Sequence, residues 1–351
     1  MFQRRIDMTN TKDVRSGSIA YNRLDMQISQ VFHLAIELYD SLDFLFVLDH
    51  HDDITLYDDE MNDGVVSYYQ MKTTDNSITI HTALNEGWIS KLYSHLNTPD
   101  IFVKELGFIT NCHWKLENQT TSAEKTLFST FNDESVEKIK KDIASRFKID
   151  VKEVDLSKMV HMRTTLSIDR HKDIVQTEVT NFLCEKFSQI KVQTVKTIIA
   201  SVFELLNRKQ GYERLSEDSK FNVIKDKKGF SKSTFNHIIR FAIKINIPEF
   251  TEIQRFGQIP KDKEEKAALA YTQILADSSK NLDLFSKTFD EMETIIKDTP
   301  MLVGETSWIY INRCRNLLET KMPKTMFMYT NSLYLEVLAI CIKIAESEGS
   351  L

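Results

Sequence analysis

The chain has 351 residues, of which 42% are hydrophobic, and a net charge of −6; this is enough apolar material for two domains with cores, while no apolar run approaches the roughly 18–20 residues of a membrane span. The opening stretch MFQRRIDMTNTKDVRSGS lacks the apolar segment of a secretory leader, and the four cysteines (Cys112, Cys184, Cys314, Cys341) form no CxxC, so the expectation is a cytoplasmic protein with neither a disulfide framework nor a zinc ribbon. Residues 1–150 hold 15 Lys+Arg against 24 Asp+Glu, a balance of −9, and the other 201 hold 30 against 27, a balance of +3, so the first half repels a polyanion on average.

Residues 21–40 have helical spacing, with Leu24, Ile28, Val31, Phe32, Ala35, Ile36 and Tyr39 on one stripe and Gln27 on its flank. DFLFVLDH (43–50) is a short aromatic apolar run that reads as a strand. DDITLY (52–57) alternates and reads as its continuation or neighbour. DDEMNDG (58–64) is a turn, and VVSYYQMKTT (65–74) is the returning strand of a hairpin. NEGWISKLYSHL (85–96) is helical and ELGFITN (105–111) is another strand. Helix, three strands, helix and strand describe a small mixed domain. Beyond about residue 130 nearly every segment has helical spacing, through SLYLEVLAICIKIAES (332–347), whose apolar residues require burial. The stretch 148–167 reads as a hinge or as one more strand of the first domain. The expected division is 1–165 for the α/β part and 166–351 for an all-helical part.

The hairpin carries the chemistry. Residues i and i+2 of a strand share a face, so Tyr68, Gln70 and Lys72 point one way, and the preceding strand brings its acids Asp49, Asp52 and Asp53 close to them. A carboxylate, an amide oxygen and a lysine amine converging on one spot suit phosphodiester hydrolysis. Oxygen ligands hold Mg²⁺ (or Mn²⁺), the metal polarises the phosphoryl group, and the lysine offsets growing charge.

In QxK form this pattern resembles the PD-(D/E)xK nucleases. The order of LDMQ (24–27), LDHHDDITL (48–56), YYQMK (68–72), ISKLYSHL (89–96) and LGFITN (106–111) resembles one branch of them, the CD-NTase-associated double-stranded DNA endonucleases of bacterial antiphage systems. No cyclic-oligonucleotide sensor domain is recognisable, and the helical tail is more similar to the nuclease subunit of Lamassu defence systems. The resemblance implies an α+β architecture, with a restriction-endonuclease-like core followed by a helical domain for assembly or partner binding. It implies Asp53 as metal-binding aspartate, Gln70 in the usual acid position, Lys72 as catalytic lysine, Asp49 as a further metal ligand with a shortened side chain, and Gln27 as the supporting helical glutamine. The neutral Gln70 disfavours a second tightly held metal. The implied partners are double-stranded DNA, an SMC-like ATPase with an accessory defence subunit, and further copies of the chain in a homo-oligomer, with no membrane.

Other readings stand beside this one. Gln70 and Lys72 fit the end of an edge strand entering solvent. His51-Asp52 fits the HD pair of a phosphohydrolase, although FLFVL before it favours a strand over the helix such ligands occupy. A catalytically silent adaptor for an ATPase partner would keep the fold without the chemistry. Cys112-His113 is a ligand-like pair without a second pair. The window 207–244 holds ten basic and four acidic residues with interleaved aromatics; Lys225, Lys227, Lys228 and Lys232 there are candidate DNA contacts or one solvated face.

Overall fold

The computed structural model of the chain describes residues 16–347 apart from 75, 99–100, 188–189, 191, 214, 217–218, 245–246, 281 and 322–330. Residues 1–15, most of the stretch read for a leader, lie outside the described residues. Among the described residues no helix is long and apolar enough to cross a membrane.

The chain folds into two units. The first comprises Met1–Phe182 and Leu206–Ser233, the second Leu183–Leu205 and Thr234–Leu351. A single cut after residue 165 does not describe this division, because a segment beyond residue 200 returns to complete the first sheet.

The first unit opens with α1 (Ser16–Glu37), which buries Met26, Ile28, Val31, Phe32 and Ala35; Leu24, expected on that stripe, is exposed. A meander follows of β1 (Leu45–Leu48), β2 (Ile54–Asp59) and β3 (Asn62–Lys72). The turn from β2 to β3 is shorter than the acidic run 58–64 suggested. Asp59 and Asn62 accept the Met61 and Gly64 N–H groups, each at 2.8 Å, so the flanking acids join the strands. Then come β4 (Ile78–Thr79), α2 (Ile80–Asn85), α3 (Trp88–Ser94), β5 (Phe102–Thr110), β6 (Trp114–Lys115), β7 (Lys125–Leu127), α4 (Asp133–Phe147), β8 (Met159–Arg163) and α5 (His171–Lys186). The stretch read as hinge or strand supplies β8, paired parallel to β5.

After α6 (Val192–Gln210) and α7 (Phe221–Lys228), β9 (Gly229–Ser231) adds antiparallel to β1. The sheet order is β7-β8-β5-β3-β2-β1-β9. β3 is therefore the central strand, antiparallel to β2 and parallel to β5. It is buried from Val66 through Met71, as expected for a strand covered on both faces. The edge-strand reading of Gln70 is thereby removed.

The second unit is helical: α8 (Lys232–Lys244), whose first two residues belong to the first unit, α9 (Phe250–Gly257), α10 (Glu264–Lys280), α11 (Leu282–Asp298), α12 (Ser307–Lys321) and α13 (Ser332–Ser347). α13 is buried on nearly every side and packs against α9, α10, α11 and α12. This is the burial its sequence required.

One close approach fixes the centre of the sheet. Gly107 of β5 lies beside Tyr69 of β3, and a methyl group there would come within 2.3 Å of the Tyr69 ring. The ring is held by its hydroxyl, which donates to Glu105 at 3.3 Å. Gly107→Ala is expected to lower the unfolding free energy by roughly 2–3 kcal/mol through overpacking, read as a fall in denaturant midpoint. An unchanged midpoint would show that Tyr69 yields at no cost.

Candidate active site

Asp53 ends the turn between β1 and β2. In the β2–β3 register Ile54 faces Tyr69, so Asp53, at the end of the turn, lies next to that pair, and period-two alternation puts Gln70 and Lys72 on one face of β3. The Asp53 carboxylate accepts the Met71 N–H at 2.7 Å, which docks the turn onto the central strand. Gln70 is buried, and its Oε1 has no hydrogen-bond partner. A buried amide oxygen left unpaired costs about 1–3 kcal/mol. Lys72 follows at the strand end, its Nζ 5.3 Å from the centre of the Trp88 ring. Trp88, the first residue of α3, had no signal in the sequence beyond its place in the helix.

The neighbouring Asp52 has a separate task. Its side chain is fully buried. It accepts from His95 Nε2 at 3.1 Å, Lys91 Nζ at 3.3 Å and the Asp53 N–H at 3.0 Å. The His95 ring stacks on Tyr68 at 4.1 Å. This clasp ties α3 to the turn that presents Asp53. Burial drives both carboxyl groups upward. For Asp52 the His95 and Lys91 contacts outweigh it and hold the group below its ordinary range. For Asp53 burial prevails over the Met71 N–H and Lys72, and the group is raised. Two adjacent aspartates are thus pushed apart. One is a satisfied anion; the other gains from any cation brought to it.

The supporting residues divide. Gln27 reaches the site, and its Oε1 accepts from Gln210 Nε2 at 3.0 Å. Asp49 is turned away: its backbone is left-handed (φ 48°), its side chain is 63% exposed, and its carboxylate lies 4.0 Å from Lys228 Nζ. The structure does not bring it to Asp53, Gln70 and Lys72. His51 and Asp52 sit in a turn, not on a helix, with Asp52 already engaged by His95 and Lys91, so the HD arrangement is not formed.

The basic window is largely spent inside the first unit. Lys228 is buried and donates to the Asp49 carbonyl at 2.6 Å. Lys225 donates to the Glu60 carbonyl at 2.7 Å. Lys232 pairs with Asp43 at 3.3 Å and lies over the Tyr39 ring. Lys225 and Lys228 tie α7, and Lys232 the start of α8, to the loops of the hairpins; Lys227, paired with Asp226 at 2.9 Å, faces outward.

Asp53, Lys72, Gln27, Arg23, Thr74 and Trp88 line a cavity of about 330 Å³. Thr74 is braced by Asn111, which accepts its N–H at 3.0 Å and donates to its carbonyl at 2.9 Å. The donors present fit a hard divalent cation. Asp53 has a second oxygen beyond the one facing Met71, and Gln70 Oε1 is an unpaired oxygen on the strand that Asp53 docks onto. Among the described residues no cluster of three His, Cys, Asp or Glu side chains could hold a metal. The remaining positions around such an ion would fall to water or substrate oxygens, as Mg²⁺ prefers.

A family model described as "Cap4, dsDNA endonuclease domain" matches residues 15–210. The Lamassu protein LmuA of Bacillus cereus (strain VD014) is 28% identical over 234 residues, which are 66% of this chain and 65% of that protein. The chain therefore spans just under two thirds of that relative's length. Solved structures of the Acinetobacter baumannii Cap4 SAVED/CARF-domain containing receptor also match. The receptor alone gives a TM-score of 0.40 over 62% of this chain and 46% of that one. The receptor with the cyclic trinucleotide 2'3'3'-cAAA gives 0.39 over 62% and 44%, both at 14% identity.

The clasp predicts an acid-limb effect. Asp52 is held below its ordinary value, so its contribution to stability is complete above about pH 3.9 and is lost as pH falls below that, through its folded-state value. Asp52→Asn is expected to cost about 1–3 kcal/mol at neutral pH and to flatten the acid limb of the stability curve. Denaturant titrations from pH 7 to 3 check this; parallel curves for both proteins would remove the clasp.

Proposed function

The chain belongs to the Cap4 dsDNA endonuclease-domain family, and from that premise we propose that it is a metal-dependent double-stranded DNA endonuclease acting as the effector of an antiphage defence system. The observation that carries this reading is the Asp53 carboxylate, docked on the Met71 N–H of the central strand and lining one cavity with Lys72, with the buried, unpaired Gln70 Oε1 two residues before Lys72 on that strand. Asp53 and Gln70 supply the oxygens that would hold Mg²⁺ or Mn²⁺. A cation bound there supplies Lewis acidity to the phosphoryl group and makes water a better nucleophile at neutral pH. Lys72, steered by Trp88, offsets negative charge that grows on the phosphoryl oxygens as the bond breaks. The Asp52 clasp and the Met71 N–H keep Asp53 in place, so little reorganisation is needed at the moment of reaction.

Control by assembly is part of the proposal. The first 150 residues carry a balance of −9, so an isolated copy binds a polyanion poorly. The likeness to a Lamassu subunit supports an SMC-like ATPase with an accessory subunit as the partners that withhold or release the nuclease. It also supports a homo-oligomer as the active form.

Plasmid cleavage over a range of protein concentrations with Mg²⁺ or Mn²⁺ tests the reading. The wild type is expected to cut supercoiled plasmid more steeply than in proportion to its concentration. Lys72→Ala is expected to lose at least about a hundredfold in rate, the scale of removing a preorganised charge. Equal cleavage by both proteins would sink the assignment of Lys72, and full activity of a dilute monomer would sink control by assembly.

A further inference from the structure

Arg23, on α1, lines the same cavity as Asp53 and Lys72. Its charge has no helical explanation. The positions three and four residues away hold Ile19, Ala20, Met26 and Gln27, so none of the usual i±3 or i±4 acids is available. The nearest acid in sequence, Asp25, is buried and taken by Lys172 at 2.6 Å. Among the described residues no carboxylate pairs with Arg23. Of the residues lining the cavity, Arg23 and Lys72 are basic and Asp53 is acidic. The cavity is a basic spot within an acidic half of the chain.

The helix that presents Arg23 is held firmly. Gln27 receives Gln210, Asp25 receives Lys172, Ser29 meets His171 at 2.8 Å, and His33 meets Glu178 at 2.8 Å. An exposed guanidinium on a fixed helix is a planar fork of donors waiting for a planar or tetrahedral oxyanion. Lys72 differs: it is a point charge placed over Trp88 at the reacting spot. On the nuclease reading above, we infer that Arg23 is a DNA-phosphate anchor of this site, seating a backbone phosphate beside the one that Asp53, Gln70 and Lys72 address.

The experiment is duplex binding by the full chain, with a short fluorescein-labelled DNA duplex at several salt concentrations, together with cleavage kinetics. Arg23→Ala is expected to weaken binding by about 5- to 10-fold. The slope of log affinity against log salt should become shallower by about 0.9, the signature of one lost phosphate contact. In cleavage the loss should fall mainly on KM. Arg23→Lys should keep the salt slope while losing part of the affinity, because charge is retained and the fork is not. Arg23 is exposed, and matching thermal melts confirm that the variants fold. An unchanged salt slope for Arg23→Ala, with the wild type still binding and cutting duplex, overturns this inference and leaves the nuclease reading intact. A wild type that neither binds nor cuts duplex overturns both.

Discussion

The Asp53 carboxylate closing on the Met71 N–H is the contact on which the site depends. It spans the step from the β1–β2 turn to the central strand at 2.7 Å. In doing so it fixes the carboxylate at the strand residue before Lys72, through a charge-assisted bond. Everything around it is arranged so that this turn cannot drift. Asp52 is locked to α3 by His95 and Lys91, Tyr68 is stacked under His95, and Thr74 is braced by Asn111 beyond the strand end.

The central strand of the sheet carries a buried, unpaired amide oxygen. A glutamine on a strand covered on both faces, with its oxygen unpaired, opposes stability by ordinary hydrogen-bond arithmetic. Asp53, docked on that strand, is destabilised as an anion by burial. Asp52, one residue earlier, is by contrast complete and structural. The difference between the two aspartates lies in their partners, not in their chemistry.

The segment 206–233 shows how charge read from composition can mislead. Three of its lysines are engaged within the unit. Lys225, Lys228 and Lys232 neutralise the acidic loops of the hairpins, and β9 covers the exposed edge of β1. Covering an edge strand removes a row of unpaired backbone groups. The first unit is therefore completed by residues far along the chain, and the acidic balance of residues 1–150 is partly met inside the unit itself.

The sequence alone determined the elements around the site and the face on which its chemistry lies. The 3.6-residue spacing of α1 and α13, the apolar runs of β1 and β5, and the period-two placement of Tyr68, Gln70 and Lys72 are local properties of the chain. Which of three nearby acids docks on the central strand was set by the fold. Asp49, Asp52 and Asp53 are equivalent by type and differ only in backbone direction and partners: a left-handed turn sends Asp49 outward, α3 captures Asp52, and Asp53 is left to the Met71 N–H. The roles of Trp88 and His95 were hidden for the same reason, since helix spacing tells which face is buried but not which strand residue it meets. The central place of β3 was hidden too, because sheet order joins strands that are close in space and distant in sequence.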